Sequence, residues 1–572
     1  MSLIKNRRLA FVSGAAVILT AIALTLFRHW EMSGETWGYW FFARVFAETG
    51  RFILIDRSPL YTLYLNAFRW MGYPNSVIAE FIVTSSIAVI SFIALFKRYL
   101  GFLPAVFAAL AWLPYLQAAE PPVQMLALSC SCLGVVARLK SKSSSKIVSY
   151  SFFMLAYLFR PSYFIMLIIF GVWDTIKSLE NFNLKTILNL YNPKYSLLPL
   201  AIVIGLFIWF VSAQSTHPFN NVAITSTMWF PYNDKSLRDG AFIQNYNWKY
   251  IEVKYGDFKN KDFYYTNQEL FGGAKTAFDA ILHNPKFVTN QIGRNIKDAV
   301  LIVSSLTIMG TIRSLIGGAP FTGIYSMLIA IIGLFAGIAV LYGAFRASRN
   351  ESVNLFIISN LLLVGVATIF LPKPRYMVPM ALVLTFSAHW YSSKVNKILP
   401  KFPFKYGKLI FPLILILIFS NGVAGWGGIL ADITQDVKYR NVRILENEEG
   451  SIKQHFTQLN DLIKKCNGVL SLEHNFIGAF MEIPIDKVYD VYEIPPFGSL
   501  GNPIYKGLEA ERVGCVIVSN TLATETGKGT NIQLRYDNYI KPYAENLKKN
   551  GARVHYLENF GYMLALPKSK GN

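Results

Sequence analysis

Apolar residues along this chain gather in runs long enough, or nearly long enough, to cross a bilayer, which takes about 20 residues of helix. The clearest runs are 9–27, 324–345, 353–371 and 409–430; the runs 77–96, 102–118, 123–137, 197–213 and 376–391 follow. The stretch 147–173 is too long for one span and is interrupted at Arg160-Pro161. It is expected to form two short helices that meet at the membrane surface. The pattern predicts a polytopic α-helical membrane protein with about eleven transmembrane helices. The short apolar segment 299–312 is expected to lie along the surface, because counting it as a span would move the Lys-rich segment 393–408 to the outside.

Polar residues then assign the two sides. Six short segments (1–8, 97–98, 138–146, 174–196, 346–351 and 393–408) hold 19 Lys and Arg against three acids, Asp174, Glu180 and Glu351. Basic residues in short loops stay on the cytoplasmic side, so these segments are placed inside. Alternation puts the N-terminus in the cytoplasm and residues 431–572 outside, across a plasma (inner) membrane. Lys5-Asn6-Arg7-Arg8 before an apolar run also fits a secretory signal, but no small-x-small cleavage pattern follows, and an uncleaved first span is expected.

Composition sharpens this reading. The 572 residues are 53% hydrophobic and 16% charged, which argues against a soluble protein. A formal charge of +21 on a soluble protein would suggest nucleic acid, but +16 of it lies in the six cytoplasmic segments. It therefore reports topology and contact with anionic membrane lipids, and no nucleic-acid partner is expected. Four cysteines in the whole chain exclude a disulfide-built scaffold and a Cys-rich metal framework.

Two domains are expected, a transmembrane domain over 1–430 with external loops 28–76 and 214–323, and an extracytoplasmic α/β domain over 431–572. In the latter, strand-like runs occur at 468–472, 488–491, 513–519, 553–557 and 562–566, with a helix over 538–550 stopped by Gly551. Cys466 and Cys515 each border a strand and are read either as a disulfide or as two free thiols, whereas Cys130 and Cys132 are read as packing in a span.

Ionisable residues at membrane depth or at its edge carry the functional argument. The first external loop interleaves aromatics with charge, from His29-Trp30-Glu31 through Glu35, Tyr39, Ala43-Arg44, Glu48-Thr49-Gly50-Arg51-Phe52 and Arg57-Ser58-Pro59-Leu60. Such a composition suits helices in the interface. Glu31 and Glu35 are four residues apart and would share one helix face. A carboxylate there is placed to take a proton from a hydroxyl; paired with Arg44, it would be an ordinary interfacial acid. The loop 214–323 is rich in Tyr, Phe, Trp and Asn, which suit sugar stacking and interfacial packing equally well.

The order of these pieces resembles the GT-C superfamily, multi-span glycosyltransferases that use polyprenyl-phosphate sugars and include protein O-mannosyltransferases and the lipid A aminoarabinose transferase. That family carries an acidic catalytic base in its first loop and a basic residue before Pro-Pro-Leu. Glu35, Tyr39, Ala43-Arg44 and Arg57-Ser58-Pro59-Leu60 fall on this pattern, with Ser58 in place of the first Pro and a single Glu where an Asp-Glu pair is common. Glu120, Arg160-Pro161, His283-Asn284-Pro285 with Asn295, and Pro372-Lys373-Pro374-Arg375-Tyr376 continue the resemblance in chain order.

The resemblance implies a GT-C-type membrane fold and transfer of a sugar from a polyprenyl-phosphate donor to a glycan, lipid or protein acceptor outside. It implies Glu35 as base with Glu31 in reserve, Glu120 as helper, and inversion at the anomeric carbon. Arg57, Arg160 and Arg375, each expected near the outer boundary, are placed to bind the donor phosphate, where guanidinium groups stabilise growing negative charge. No cofactor is certain, although Glu35 and Glu120 could share Mg²⁺, Mn²⁺ or Ca²⁺ through oxygen ligands. Two other classes compete. An O-antigen ligase or polysaccharide polymerase would depend on residues such as His217 or His283. A lipid-linked sugar flippase or other transporter would show internal repeats and charges at the bilayer midplane.

Overall fold

The computed structural model describes residues 34–50, 52–53, 58–72, 75–100, 122–139, 143–180, 214–215, 263–274, 276–305, 351–370, 376–380, 382–384, 461–464, 469–471, 488–490, 514–519, 541–557 and 561–565, with isolated positions between them. The chain divides into two compact units. One comprises Met1–Arg28, Pro74–Phe210 and Ile292–Val437; the other comprises His29–Tyr73, Val211–Gln291 and Lys438–Asn572.

The first unit is helical wherever it is described. Asn75–Lys97 and Glu351–Ile369, with mean hydropathies of 2.2 and 2.0, are the two helices among the described residues that are long and apolar enough to cross a membrane. Val123–Arg138 and Lys146–Phe159 are shorter apolar helices. The expected spans 9–27, 102–118, 197–213, 324–345 and 409–430 lie outside the described residues apart from isolated positions, and 376–391 is described at 376–380 and 382–384. Polar side chains inside these helices bond to their own backbone: the hydroxyls of Ser85, Ser129 and Ser359 donate to the carbonyls of Phe81, Met125 and Leu355 at 2.6–2.7 Å. Such bonds satisfy a polar group without help from water.

The interruption at Arg160-Pro161 has a local cause. Proline lacks an amide hydrogen and crowds the residue before it, so Arg160 is driven to an extended conformation, φ −146° and ψ 112°. The helix Ser143–Phe159 stops there, one 3₁₀ turn covers Pro161–Tyr163, and Phe164–Glu180 begins. The helix Val123–Arg138 packs against both Asn75–Leu100 and Ser143–Phe159. Close approach to the latter requires Gly134, where an added Cβ would meet the Phe153 ring at 2.5 Å. Phe153 in turn lies 4.6 Å, centroid to centroid, from Phe170 of the next helix.

Several described charges of this unit meet at one end of its helices. Asp174 accepts from the Arg138 guanidinium, from Lys146 at 3.2 Å and from the Tyr150 hydroxyl at 2.8 Å. Glu351 accepts from the Trp173 indole at 2.9 Å and lies 3.4 Å from the Lys177 ammonium. Arg138, Lys146, Asp174, Lys177 and Glu351 all belong to, or adjoin, the segments expected inside. Burial raises the carboxyl pKa of Asp174, but the bond and charge of Arg138, with help from Tyr150 and Lys146, hold it below the ordinary value.

The segment expected along the surface, 299–312, is described to residue 305 as the end of a longer helix, Pro285–Ser305. Its Ala299 is buried with Val364 and Met377, and Ile302 and Val303 pack on the same cluster.

In the second unit a five-stranded sheet runs in the order Val488–Asp490, Val469–Ser471, Cys515–Ser519, Gly561–Ala565, Arg553–Leu557. The first three strands are parallel, and Gly561–Ala565 runs antiparallel to both of its neighbours, Cys515–Ser519 and Arg553–Leu557. Cys515, Val516 and Ile517 are consecutive and all buried, as expected for a central strand covered on both faces. The helix Lys541–Lys549 ends at Gly551, whose amide bonds to Lys548 while that of Ala552 bonds to Leu547. Cys515 is disulfide-bonded, Cys466 lies outside the described residues, and Cys130 and Cys132 are free and buried.

Candidate functional site

Two sets of candidate residues are described, one in each unit. In the second unit, Glu35 stands in the first turn of the helix Gly34–Thr49, four residues before Tyr39 and so on the same face. Tyr39 is fully buried and meets Tyr61 edge-on at 4.9 Å, which packs this helix against Pro59–Arg69. Trp40, Phe41 and Ala43 are also buried, so this interfacial segment has a core of its own.

The residues after Glu35 have structural duties that explain their order. The nearly buried Arg44 donates to Glu48 at 2.6 Å, one turn further along. Gly50 closes the helix with φ +68°, a left-handed conformation that glycine adopts without penalty, and its amide bonds to Phe46 at 2.8 Å. Phe52 and Ile53 then pair in parallel with Gln214 and Ser215, joining two segments far apart in sequence. Ser58 caps the next helix: its hydroxyl accepts from the Tyr61 amide at 3.0 Å, with Pro59 in the first turn.

Arg69, which attracted no attention in the sequence, belongs to the same group. Burial lowers its guanidinium pKa, the like charge of Arg44 adds to that effect, and Glu48 opposes it.

In the first unit, Arg160 sits at the helix break, at the end opposite the Asp174 cluster, since a helix of 17 residues separates the two ends by about 25 Å. Its Nη2 donates to the Tyr376 hydroxyl at 3.3 Å, and its Cζ lies 5.6 Å from the Tyr376 ring centroid. Tyr376 packs against the Ala299–Val364–Met377 cluster. At the same end the buried Asn295 donates from Nδ2 to the Ile369 carbonyl at 3.2 Å. Asn284 links two helices: its backbone amide bonds to Ala280 at the end of one, and its Oδ1 accepts from Phe287 in the first turn of the next.

Glu31, Glu120, Arg57 and Arg375 lie outside the described residues, and Glu35 is described through its backbone. The metal proposal for Glu35 and Glu120 lies outside them too; among the described residues no group of three His, Cys, Asp or Glu forms a metal site. The apolar run 77–96 conceals an acid: Glu80 is fully buried in the helix Asn75–Leu100 and accepts from the Thr84 hydroxyl at 2.9 Å. His283 packs against Gly272, the turn glycine that follows Phe263–Phe271.

No protein-family model matches the chain, and no curated protein does. Among solved structures it is similar to ArnT from Cupriavidus metallidurans bound to undecaprenyl phosphate, at 11% identity and a TM-score of 0.41, over 98% of this chain and 99% of that one. ArnT from the same organism in the apo state gives 11% and 0.39 over 99% of each chain. The oligosaccharyltransferase of Archaeoglobus fulgidus, tethered to an acceptor peptide, gives 13% and 0.39 over 97% of this chain and 75% of that one.

Proposed function

We propose that this protein is an integral-membrane glycosyltransferase that moves a sugar from a polyprenyl-phosphate donor to a glycan, lipid or protein acceptor at the outer face of the plasma (inner) membrane. One observation carries the reading. Arg160 stands at the helix end opposite the Asp174 charge cluster, held by Tyr376. With the basic segments read as cytoplasmic, this position supports a role for the guanidinium at the outer membrane edge, where the phosphate of a lipid-linked donor would lie.

The chemistry follows from charge movement. As the glycosidic bond breaks, negative charge grows on the phosphate oxygens of the leaving polyprenyl phosphate. Arg160, with Arg57 and Arg375, supplies donors for that charge, each worth about 3 kcal/mol of barrier by comparison with a single oxyanion donor. Glu35 takes the proton from the acceptor hydroxyl as its oxygen attacks the anomeric carbon opposite the phosphate, so the configuration inverts. Glu120 assists; were a divalent cation used, the carboxylate oxygens of Glu35 and Glu120 would be its ligands, and it would offset negative charge there.

The deciding assay gives purified protein a labelled polyprenyl-phosphate sugar and follows release of polyprenyl phosphate. Release that depends on Glu35 and Arg160 is expected. Movement of intact donor across vesicles without release would replace the reading with a flippase. Loss of activity on replacing His283 but not Glu35 would replace it with a ligase or polymerase.

A further inference from the structure

We infer that Asn295 is a positioning residue for the donor phosphate, acting through the end of one helix on the pair Arg160–Tyr376; this rests on the function proposed above. The helix Glu351–Phe370 runs into Pro372-Lys373-Pro374. The last carbonyls of a helix lack partners within it, and amides four residues on, or three in a tightened final turn, are often recruited from beyond its end. Here two of those donors do not exist. The residue four after Thr368 is Pro372 and the residue four after Phe370 is Pro374, and neither has an amide hydrogen.

Between them, the Ile369 carbonyl is served from another helix. The Asn295 side chain is 1% exposed and donates to it at 3.2 Å across 74 positions of sequence. One turn beyond Asn295, Ala299 is buried against Val364 and Met377, with Ile302, Val303, Ala367, Tyr376 and Met380 packed around them. The amide bond and this apolar contact grip the chain on both sides of the proline segment, at Ile369 before it and at Met377 after it.

That grip sets where Tyr376 can stand, and Tyr376 meets Arg160 through both its hydroxyl, at 3.3 Å, and its ring. Asn295 touches no reacting atom in this arrangement. It fixes the Ile369 carbonyl, at the head of the connection that leads to Tyr376, whose side chain orients the guanidinium. Loss of its donor releases one end of that connection, so Arg160 holds phosphate less well while the acceptor side is untouched.

The test measures binding of polyprenyl phosphate to the full-length protein in lipid nanodiscs, with the thermal midpoint of each variant as a folding control. Asn295→Asp keeps the shape and removes the donor; Asn295→Leu is the second variant if the first does not fold. Binding is expected to weaken roughly three- to tenfold in either, in line with one lost hydrogen bond, with KM for the acceptor unchanged. Tyr376→Phe should weaken binding as well, and Asn295→Asp combined with it should do no worse than the stronger single change, because both act on one element. Unchanged binding in Asn295→Asp and Asn295→Leu, with Arg160→Ala weakened, overturns this inference and leaves the proposed function standing. Fully additive effects of Asn295→Asp and Tyr376→Phe overturn it in the same way. Unchanged binding in Arg160→Ala removes the phosphate role of Arg160, and this inference with it.

Discussion

The Arg160 guanidinium donates to the Tyr376 hydroxyl across 216 positions of sequence, joining the break in a split helix to the start of a late one. Such a bond fixes where a mobile, permanently charged side chain holds its donors.

Replacing Arg160 with Lys should therefore lower kcat/KM for the donor by about 100-fold, because a point charge cannot reproduce the planar set of donors. Tyr376→Phe keeps the ring under the guanidinium and loses the hydroxyl, with an expected cost of roughly tenfold. Steady-state kinetics at varied donor concentration checks both.

Glu35→Gln should reduce transfer by at least about 100-fold, since the amide cannot take the acceptor proton. The thermal midpoint should not move, because the packing of this helix is carried by Tyr39, Trp40 and Phe41. Normal turnover in this variant would assign the base elsewhere, with Glu31 next in line.

Ser58→Ala should destabilise the second unit by about 1 kcal/mol through loss of the hydroxyl that caps Tyr61. Ser58→Pro removes the same hydroxyl and should not recover that loss. Denaturation of the purified variants would show it.

Asp174→Asn should cost about 3 kcal/mol, because it leaves the Arg138 guanidinium without its carboxylate. The pH dependence has a definite sign. The Asp174 pKa is depressed in the folded protein, so its contribution is present above the ordinary carboxylate range and is lost as pH falls through the folded value. The variant should lose part of its acid-side decline in stability; an identical pH profile would show that Asp174 contributes nothing there.

What could be read from the sequence was local. Arg160-Pro161 marked a helix break because proline constrains its own residue and the one before it, and the break lies there. The strands of the last 142 residues were legible from short apolar runs between turn residues, and strands lie at Val469–Ser471, Val488–Asp490, Cys515–Ser519, Arg553–Leu557 and Gly561–Ala565. The bonds from Arg160 to Tyr376 and from Asn295 to Ile369 were not legible, since nothing near either residue encodes a partner 216 or 74 positions away. Glu80 was hidden for a different reason: averaged over a window with hydropathy 2.2, one acid leaves little trace. Nothing in the sequence around Arg69, at the end of an aromatic helix, marks it, because its burial depends on how that helix packs.

The pairing of Phe52–Ile53 with Gln214–Ser215 also bears on how the molecule is made. Chains are made from the N-terminus, so the strand partner of Phe52–Ile53 does not exist until residue 215 has been synthesised. Until then the segment carrying Glu35 has only its own helices to hold it. A nascent chain that stalls before this point would present the loop without its latch, exposed to proteases and unable to work. Competence would thus be acquired late in biogenesis, at a defined length of chain, which staged truncations released from the ribosome would reveal as a step in protease resistance.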